Sequence, residues 1–229
     1  MRILAIDTSC NAVSACVLDS EAEAPLVTHC EPMARGHAEA LAPVVEGLVL
    51  STSGAFGAID RIAVTVGPGS FTGIRVGLAF ARAVGLALER PVVGVSTLVA
   101  FAGPLFLELR ASLIASTVDA RHGKVYFQLF EPQGRPLCAP RIESVRETMR
   151  SLGPSSTRLA GNGAAIVAAE AQRIGLLLDV AGAAAFPDIA AIARIGLMSE
   201  PGEHPPRPIY VKPPDAVPGR GERIARVDG

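Results

Sequence analysis

Residues 2–18 read RILAIDTSCNAVSACVL, and residues 113–130 read LIASTVDARHGKVYFQLF. Each stretch is an apolar strand ending in an aspartate (Asp7, Asp119), then a four-residue turn, then a second strand with alternating apolar residues. The turns are Thr8-Ser9-Cys10-Asn11 and Ala120-Arg121-His122-Gly123; the alternating residues are Val13, Ala15 and Val17, and Val125, Phe127 and Leu129. A later strand and glycine turn recur as well: Ile62 to Val66 before Gly67-Pro68-Gly69, and Arg158 to Ala160 before Gly161-Asn162-Gly163. A repeated unit constrains topology more than any single propensity does, so the chain is expected to fold as two similar α/β lobes.

Between these landmarks the first half supplies a strand near Pro25 to Cys30, a helix from His37 to Leu50, a long helix from Ser70 to Leu88 and a short buried strand from Val92 to Val95. The second half carries helical patterns near Ser144 to Leu152, Ala164 to Leu176 and Pro187 to Met198, the last with Pro187 at or near its first turn. The expected units are an N-terminal lobe over 1–107, a second lobe over 108–199 and a Pro-rich tail over 200–229, of which only Pro208 to Lys212 should dock.

Among the 229 residues, 21 Lys and Arg oppose 22 Asp and Glu, a net charge of −1 that excludes a strongly basic nucleic-acid domain and an acidic tail. With 49% hydrophobic residues and a mean hydropathy of +0.38, the chain can bury a sizeable core. Its longest uncharged apolar run, Pro91 to Leu107, is interrupted by Gly94, Gly103 and Pro104 and is shorter than the roughly 20 residues a bilayer needs. The N-terminal apolar stretch, Ile3 to Ile6, is too short for a secretory leader. Cys10, Cys16, Cys30 and Cys138 contain no C-x-x-C pair and read as small buried hydrophobes in a reducing compartment. These features predict a soluble, cytoplasmic protein with no membrane attachment.

The repeated aspartate and polar turn suit a phosphate on backbone N–H groups, with the carboxylate holding a metal-bound water. Two facing turns would clamp a nucleotide among Asp7, Thr8, Ser9, Asp119, Gly161 and Gly163. The alternative is that Asp7 and Asp119 cap their own turns as Asx residues do. Gly67-Pro68-Gly69-Ser70-Phe71-Thr72-Gly73 precedes a helix that Ser70 can cap. It lacks the lysine of a P-loop and the spacing and acidic partner of a dinucleotide-binding turn. In that helix Gly73, Gly77, Ala81 and Gly85 recur every four residues and form a smooth ridge for a close backbone, in the same lobe or in a partner chain. The helix from His37 carries a wide apolar stripe, including Leu41 and Val45, that also favours an interface. His37, Leu41, Val45, Gly73, Gly77, Ala81 and Gly85 are the candidate partner surface, and Leu or Arg at Gly77 or Ala81 is expected to break association and spare the fold. The four histidines never fall at i, i+4, so no zinc-type pair exists. His37 itself reads as a capping or surface residue.

IDTS at Ile6 to Ser9, HAEAL at His37 to Leu41, GPGSFTGIRVGL from Gly67, PVVGVST from Pro91, Asp119-Ala120-Arg121 and Gly161-Asn162-Gly163 together resemble the TsaB (YeaZ) family of bacterial tRNA threonylcarbamoyladenosine biosynthesis proteins. The resemblance runs in order over about 200 residues, to Pro208-Ile209-Tyr210. It implies an actin-like fold of the hexokinase and Hsp70 type, with two duplicated lobes. It also implies a non-catalytic scaffold that binds the paralogous catalytic subunit TsaD as a heterodimer. The complex works with the ATPase TsaE to place a threonylcarbamoyl group on the adenosine next to the anticodon. ATP and a metal ion then belong to the partner subunits, tRNA is reached only through the complex, and the isolated chain can pair with itself. The positions of the catalytic subunit's two metal-binding histidines fall at Thr97 and Phe101, neither of which binds iron or zinc as imidazole does. The rival expectation is an actin-like ATP-dependent small-molecule kinase built on Asp7 and Asp119.

Overall fold

The computed structural model describes residues 1–108, 110, 112–152 and 157–211. Two five-stranded sheets carry the chain. The first is built from β1 (Arg2–Asp7), β2 (Ala12–Asp19), β3 (Val27–Pro32), β4 (Arg61–Gly67) and β5 (Val92–Ser96), in the order β3-β2-β1-β4-β5. The second contains β6 (Leu113–Asp119), β7 (Lys124–Phe130), β8 (Arg141–Ser144), β9 (Thr157–Ala160) and β10 (Asp179–Gly182), ordered β10-β9-β6-β7-β8. Read from the other edge, this is the first order again. In both sheets a hairpin pairs antiparallel and the later strands add in parallel, β4 on β1 and β9 on β6. The duplication seen in the sequence is therefore a duplication of topology, two lobes of the actin-like kind.

Helices α1 (His37–Leu50) and α2 (Phe71–Leu88) cover one face of the first sheet. β1 is buried on both sides, so its residues divide by parity. Leu4 and Ile6 meet Leu41, Val45 and Leu78 under α1 and α2. Ile3 and Ala5 face the other way, into a cluster with Ile189, Ile192 and Ala193. In the second lobe α4 (Val145–Leu152) and α5 (Ala164–Arg173) pack over Val125, Phe127 and Leu159. Ser70 caps α2 by accepting from the Gly73 N–H at 3.2 Å, as its place before the helix predicted. α2 ends at Glu89, in the left-handed region with φ 55°.

Three expectations need correction. Helix α6 (Ile189–Met198), placed by sequence order in the 108–199 lobe, packs on β1, β2 and β4 of the first sheet. Its Gly196 sits where a Cβ would lie 2.5 Å from the Ala63 methyl. Helix α3 (Thr97–Phe106), assigned to residues 1–107, leans on β6 of the second sheet as well as on β4 and β5. The lobes are thus interleaved rather than divided at residue 107. Near the first turn of α6, as expected, Pro187 precedes the cap Asp188, whose carboxylate accepts from the Ala190 N–H at 2.9 Å. The docked part of the tail begins at Pro206, and Lys212 lies outside the described residues.

α2 is 18 residues long with a mean hydropathy of 1.5, enough by length and composition to cross a membrane. Its glycine ridge against its own sheet gives it the place of a core helix instead.

Candidate functional site

The two repeated turns face each other across the lobes, and the same backbone device gives them opposite environments. Asp7 is fully buried. Its Oδ1 accepts from the Ser9 N–H at 2.9 Å and the Thr65 hydroxyl at 2.5 Å, whereas Oδ2 has no partner among the described residues. Asp119 is exposed, and its Oδ1 accepts from the Arg121 N–H at 2.7 Å. Each aspartate therefore caps its own turn, two residues on.

The difference lies in what covers each turn. The Gly67-Pro68-Gly69 loop and the start of α2 close over the first one. The Ser70 N–H donates to the Ser9 carbonyl at 2.7 Å and the Thr8 hydroxyl donates to the Gly73 carbonyl at 2.7 Å. A Cβ at Gly69 would lie 2.3 Å from the Ser9 carbonyl oxygen, and one at Gly73 only 2.0 Å from that of Thr8. Asp7, Thr8 and Ser9 are consequently sealed off, and the expected water-bridged metal at Asp7 has no open face. The second turn stays open. Gly161, with φ +95°, lets Asn162 reach the Asp119 N–H at 2.8 Å, and the Gly163 N–H donates to the Thr117 carbonyl at 3.1 Å; both glycines are buried. Asn162 also donates to the Ala185 carbonyl at 3.2 Å and approaches Cys10 Sγ at 3.6 Å, tying the lobes together.

Between the turns lies a cleft of about 350 Å³, lined on one side by Asn11, Phe71 and Thr72 and on the other by Arg121, Tyr126 and Asn162. Its apolar flank is Cys10, Leu98, Phe101 and Val118, with Tyr126 and Phe186 packed against them. Thr97 and Phe101 are both buried, and Phe101 belongs to that cluster. Among the described residues no group of three His, Cys, Asp or Glu could hold a metal ion.

Burial pushes the Asp7 carboxyl above its ordinary value of 3.8, against the opposing effects of its hydrogen bonds to Ser9 and Thr65 and the charge of His37. A raised pKa in the folded state means that this group's contribution to stability is fully present below 3.8 and is lost as pH rises through the folded value. Asp7→Asn keeps the Oδ1 acceptor and removes the buried charge. In urea titrations it should be more stable than the native chain at pH 8, with the gap closing as the pH approaches 4. A pH-independent difference would remove the buried-charge explanation.

The expected partner surface is corrected in its orientation. Leu41 and Val45 are in the core with 1% and 0% exposure, and Ala81 is fully buried beside them. Gly73, Gly77 and Gly85 are buried too. A Cβ at Gly77 would lie 2.4 Å from the Thr8 hydroxyl oxygen, and one at Gly85 would lie 2.4 Å from a Val92 methyl. The ridge exists so that α2 can lie close on its own sheet. Only His37 of the seven is partly exposed, with Nε2 3.1 Å from the Cys10 carbonyl. The outward faces carry other residues: Ala38, Ala42, Pro43, Gly47 and Leu50 on α1, and Ala79, Ala83, Leu86 and Ala87 on α2. Ala79, Ala83 and Ala87 share the four-residue spacing of the buried ridge, so spacing alone could not tell the two stripes apart.

A family model described as TsaD, tRNA N6-adenosine threonylcarbamoyltransferase, matches residues 29–195. The tRNA threonylcarbamoyladenosine biosynthesis protein TsaB of Escherichia coli K12 is 34% identical over 131 residues, 57% of this chain and 55% of that protein. The Bacillus subtilis TsaB is 33% identical over 57% of this chain and 56% of its own length. The chain thus aligns with about half the length of these relatives. An uncharacterized Mycobacterium tuberculosis protein is 29% identical over 220 residues, 94% of each chain. Among solved structures, YeaZ from Pseudomonas aeruginosa superposes with a TM-score of 0.73 and 26% identity over 91% of this chain and 99% of that one. With this fold, these matches and its own motifs, the chain belongs to the TsaD family of tRNA N6-adenosine threonylcarbamoyltransferases, among its TsaB (YeaZ) members.

Proposed function

We propose that the chain serves tRNA threonylcarbamoyladenosine biosynthesis as a scaffold, binding and activating the catalytic subunit TsaD through the outward faces of α1 and α2. The observation that carries this reading is the composition of α2. The helix contains Arg75 and Arg82 but no acidic residue, and six of its 18 residues are buried. Ala79, Ala83, Ala87 and Leu86 remain outside, Leu86 with 82% exposure. Small exposed side chains let a second helix approach closely, and a long apolar stripe facing water marks an interaction site. Glu39 and Glu46 on α1 flank it with charge that can fix the partner's orientation.

The sealed Asp7 and the buried phenylalanine at Phe101 support a non-catalytic role for this chain. The metal and the ATP then reside with TsaD and TsaE, and the chain works in the cytoplasm. The uncovered face can pair with a second copy when TsaD is missing. Capture of the purified catalytic subunit by the immobilised chain tests the reading, and its absence would overturn it. The chain alone is expected to turn over ATP far more slowly than about 1 per second, the low end for kinases. A phosphate-release assay giving that rate would favour an ATP-dependent kinase instead.

A further inference from the structure

Among the described residues the large exposed apolar side chains include only two aromatics, Phe71 at 48% and Tyr210 at 50%, and these two touch. Their ring centroids are 5.7 Å apart and tilted by 36°. The Arg75 guanidinium lies 3.6 Å above the Phe71 ring, and its Nε donates to the Tyr210 hydroxyl at 2.9 Å. The arrangement is built rather than incidental. Tyr210 is delivered by an extended strap from Pro206, held by Arg82 on the Pro206 carbonyl and by the Ile209 N–H on the Val66 carbonyl at 2.8 Å. Pro206 fits because Gly94 lacks a side chain, whose Cβ would lie 2.8 Å from the proline ring.

Phe71 also forms part of the wall of the interlobe cleft, opposite Arg121 and Tyr126. Both tyrosines of the chain, Tyr126 and Tyr210, thus sit at or beside this one cleft. Arg121 on the facing turn lines the cleft, is exposed and is in no ion pair among the described residues, whereas His122 and Lys124 lie outside the lining and Lys124 is near Glu147. The one acid in the lining, Asp119, already accepts from the Arg121 N–H.

We propose that the Phe71–Arg75–Tyr210 cluster is a stacking platform for a base of single-stranded RNA, whose phosphate is met by Arg121 across the cleft. Flat rings backed by a guanidinium stack on any base, and a nearby cation neutralises the backbone. The cleft, at about 350 Å³, has room for about one nucleotide, with Asn11 and Thr72 at its edge. The proposal rests on the reading that the chain serves tRNA modification. It departs from the expectation that tRNA is reached only through the complex. With a net charge of −1 and one cation in the cleft wall, binding must owe more to stacking than to phosphate attraction.

The test titrates the full chain into a short fluorescein-labelled single-stranded RNA at low salt and reads anisotropy. Binding is expected to weaken about tenfold in Phe71→Ala and again in Tyr210→Ala, and to be retained in Phe71→Tyr. The plot of log affinity against log salt should have a shallow slope of about −1. Because the chain has no Trp and its two tyrosines flank the cleft, RNA should also quench the intrinsic Tyr emission. Tyr210→Ala, outside α2, should leave capture of the catalytic subunit intact, so a failed RNA titration and a failed scaffold reading are distinguishable. No anisotropy change up to roughly 100 μM RNA, or equal affinity in native, Phe71→Ala and Tyr210→Ala chains, overturns the proposal. Loss of subunit capture in Tyr210→Ala without any RNA binding by the native chain would make the cluster a protein contact and overturn it too.

Discussion

Ala83→Arg should leave the chain folded and weaken its association with the catalytic subunit by at least about a hundredfold. Ala83 is exposed, one helical turn from Ala79 and one from Ala87, on the stripe of α2 that faces away from its sheet. In the free chain the new side chain points into water, where surface substitutions change stability by about 0.5 kcal/mol or less. In a helix contact it does two harmful things. It fills the space that a methyl group left for the partner's backbone, and it carries a charge into a desolvated surface with no acidic residue on α2 to meet it. An uncompensated buried charge costs about 3 to 5 kcal/mol, which is two decades or more in affinity. Gel filtration and calorimetry with the purified catalytic subunit measure it, with circular dichroism as the control for folding. Unchanged affinity in a folded Ala83→Arg chain would move the interface away from α2.

Gly73→Ala is expected to lower the stability of the isolated chain by about 3 kcal/mol or more, and Gly73→Leu to prevent folding. The added Cβ would lie 2.0 Å from the Thr8 carbonyl oxygen, which is backbone at the end of the central strand β1 and cannot swing aside. Relief requires α2 to lift from the sheet, which breaks the Thr8 hydroxyl to Gly73 carbonyl bond and uncovers Leu78 and Ala81. Leu at Gly77 and Arg at Ala81 should act in the same way, unfolding the chain rather than sparing the fold. Gly47 in α1 is the internal control: a Cβ there meets nothing within 4 Å. Gly47→Ala should therefore stabilise by about 0.5 to 1 kcal/mol, the ordinary helix preference for alanine. Urea titrations that gave Gly73→Ala and Gly47→Ala the same sign would contradict the close approach of α2 to β1.

Local patterns carried the duplication, the hairpins and the ends of α1 and α2, because each rests on neighbours within a few residues. Ser70 before an apolar helical run is an N-cap in sequence and in the fold. Helix α3 escaped the residue pattern because Gly103 and Pro104 punctuate an apolar run that strand β5 and the helix share. Pro104 is tolerated in the last turn of α3, near the end of the bonded helix. The placement of α6 on the first sheet was illegible for a different reason. Its apolar stripe states that it must be buried, but not against which of two similar sheets. The contrast between Asp7 and Asp119 has the same origin. Two matching turns differ in how far a distant glycine loop covers them: Gly67-Pro68-Gly69 and the start of α2 close over Thr8 and Ser9, whereas Gly161-Asn162-Gly163 reaches the Thr117 carbonyl and the Asp119 N–H and leaves Asp119 exposed. Orientation of the glycine ridge was decided by the width of the gap above β1, a tertiary distance that a four-residue spacing does not encode.

The most direct measurement of the scaffold role is threonylcarbamoyl transfer to tRNA in a reconstituted reaction containing the catalytic subunit, the ATPase and the threonylcarbamoyl adenylate. Transfer should depend on this chain, be fully supported by Asp7→Asn and fall to the level of its omission with folded Ala83→Arg. Equal transfer without the chain, or full transfer with an Ala83→Arg chain that no longer binds, would contradict a scaffold acting through α2.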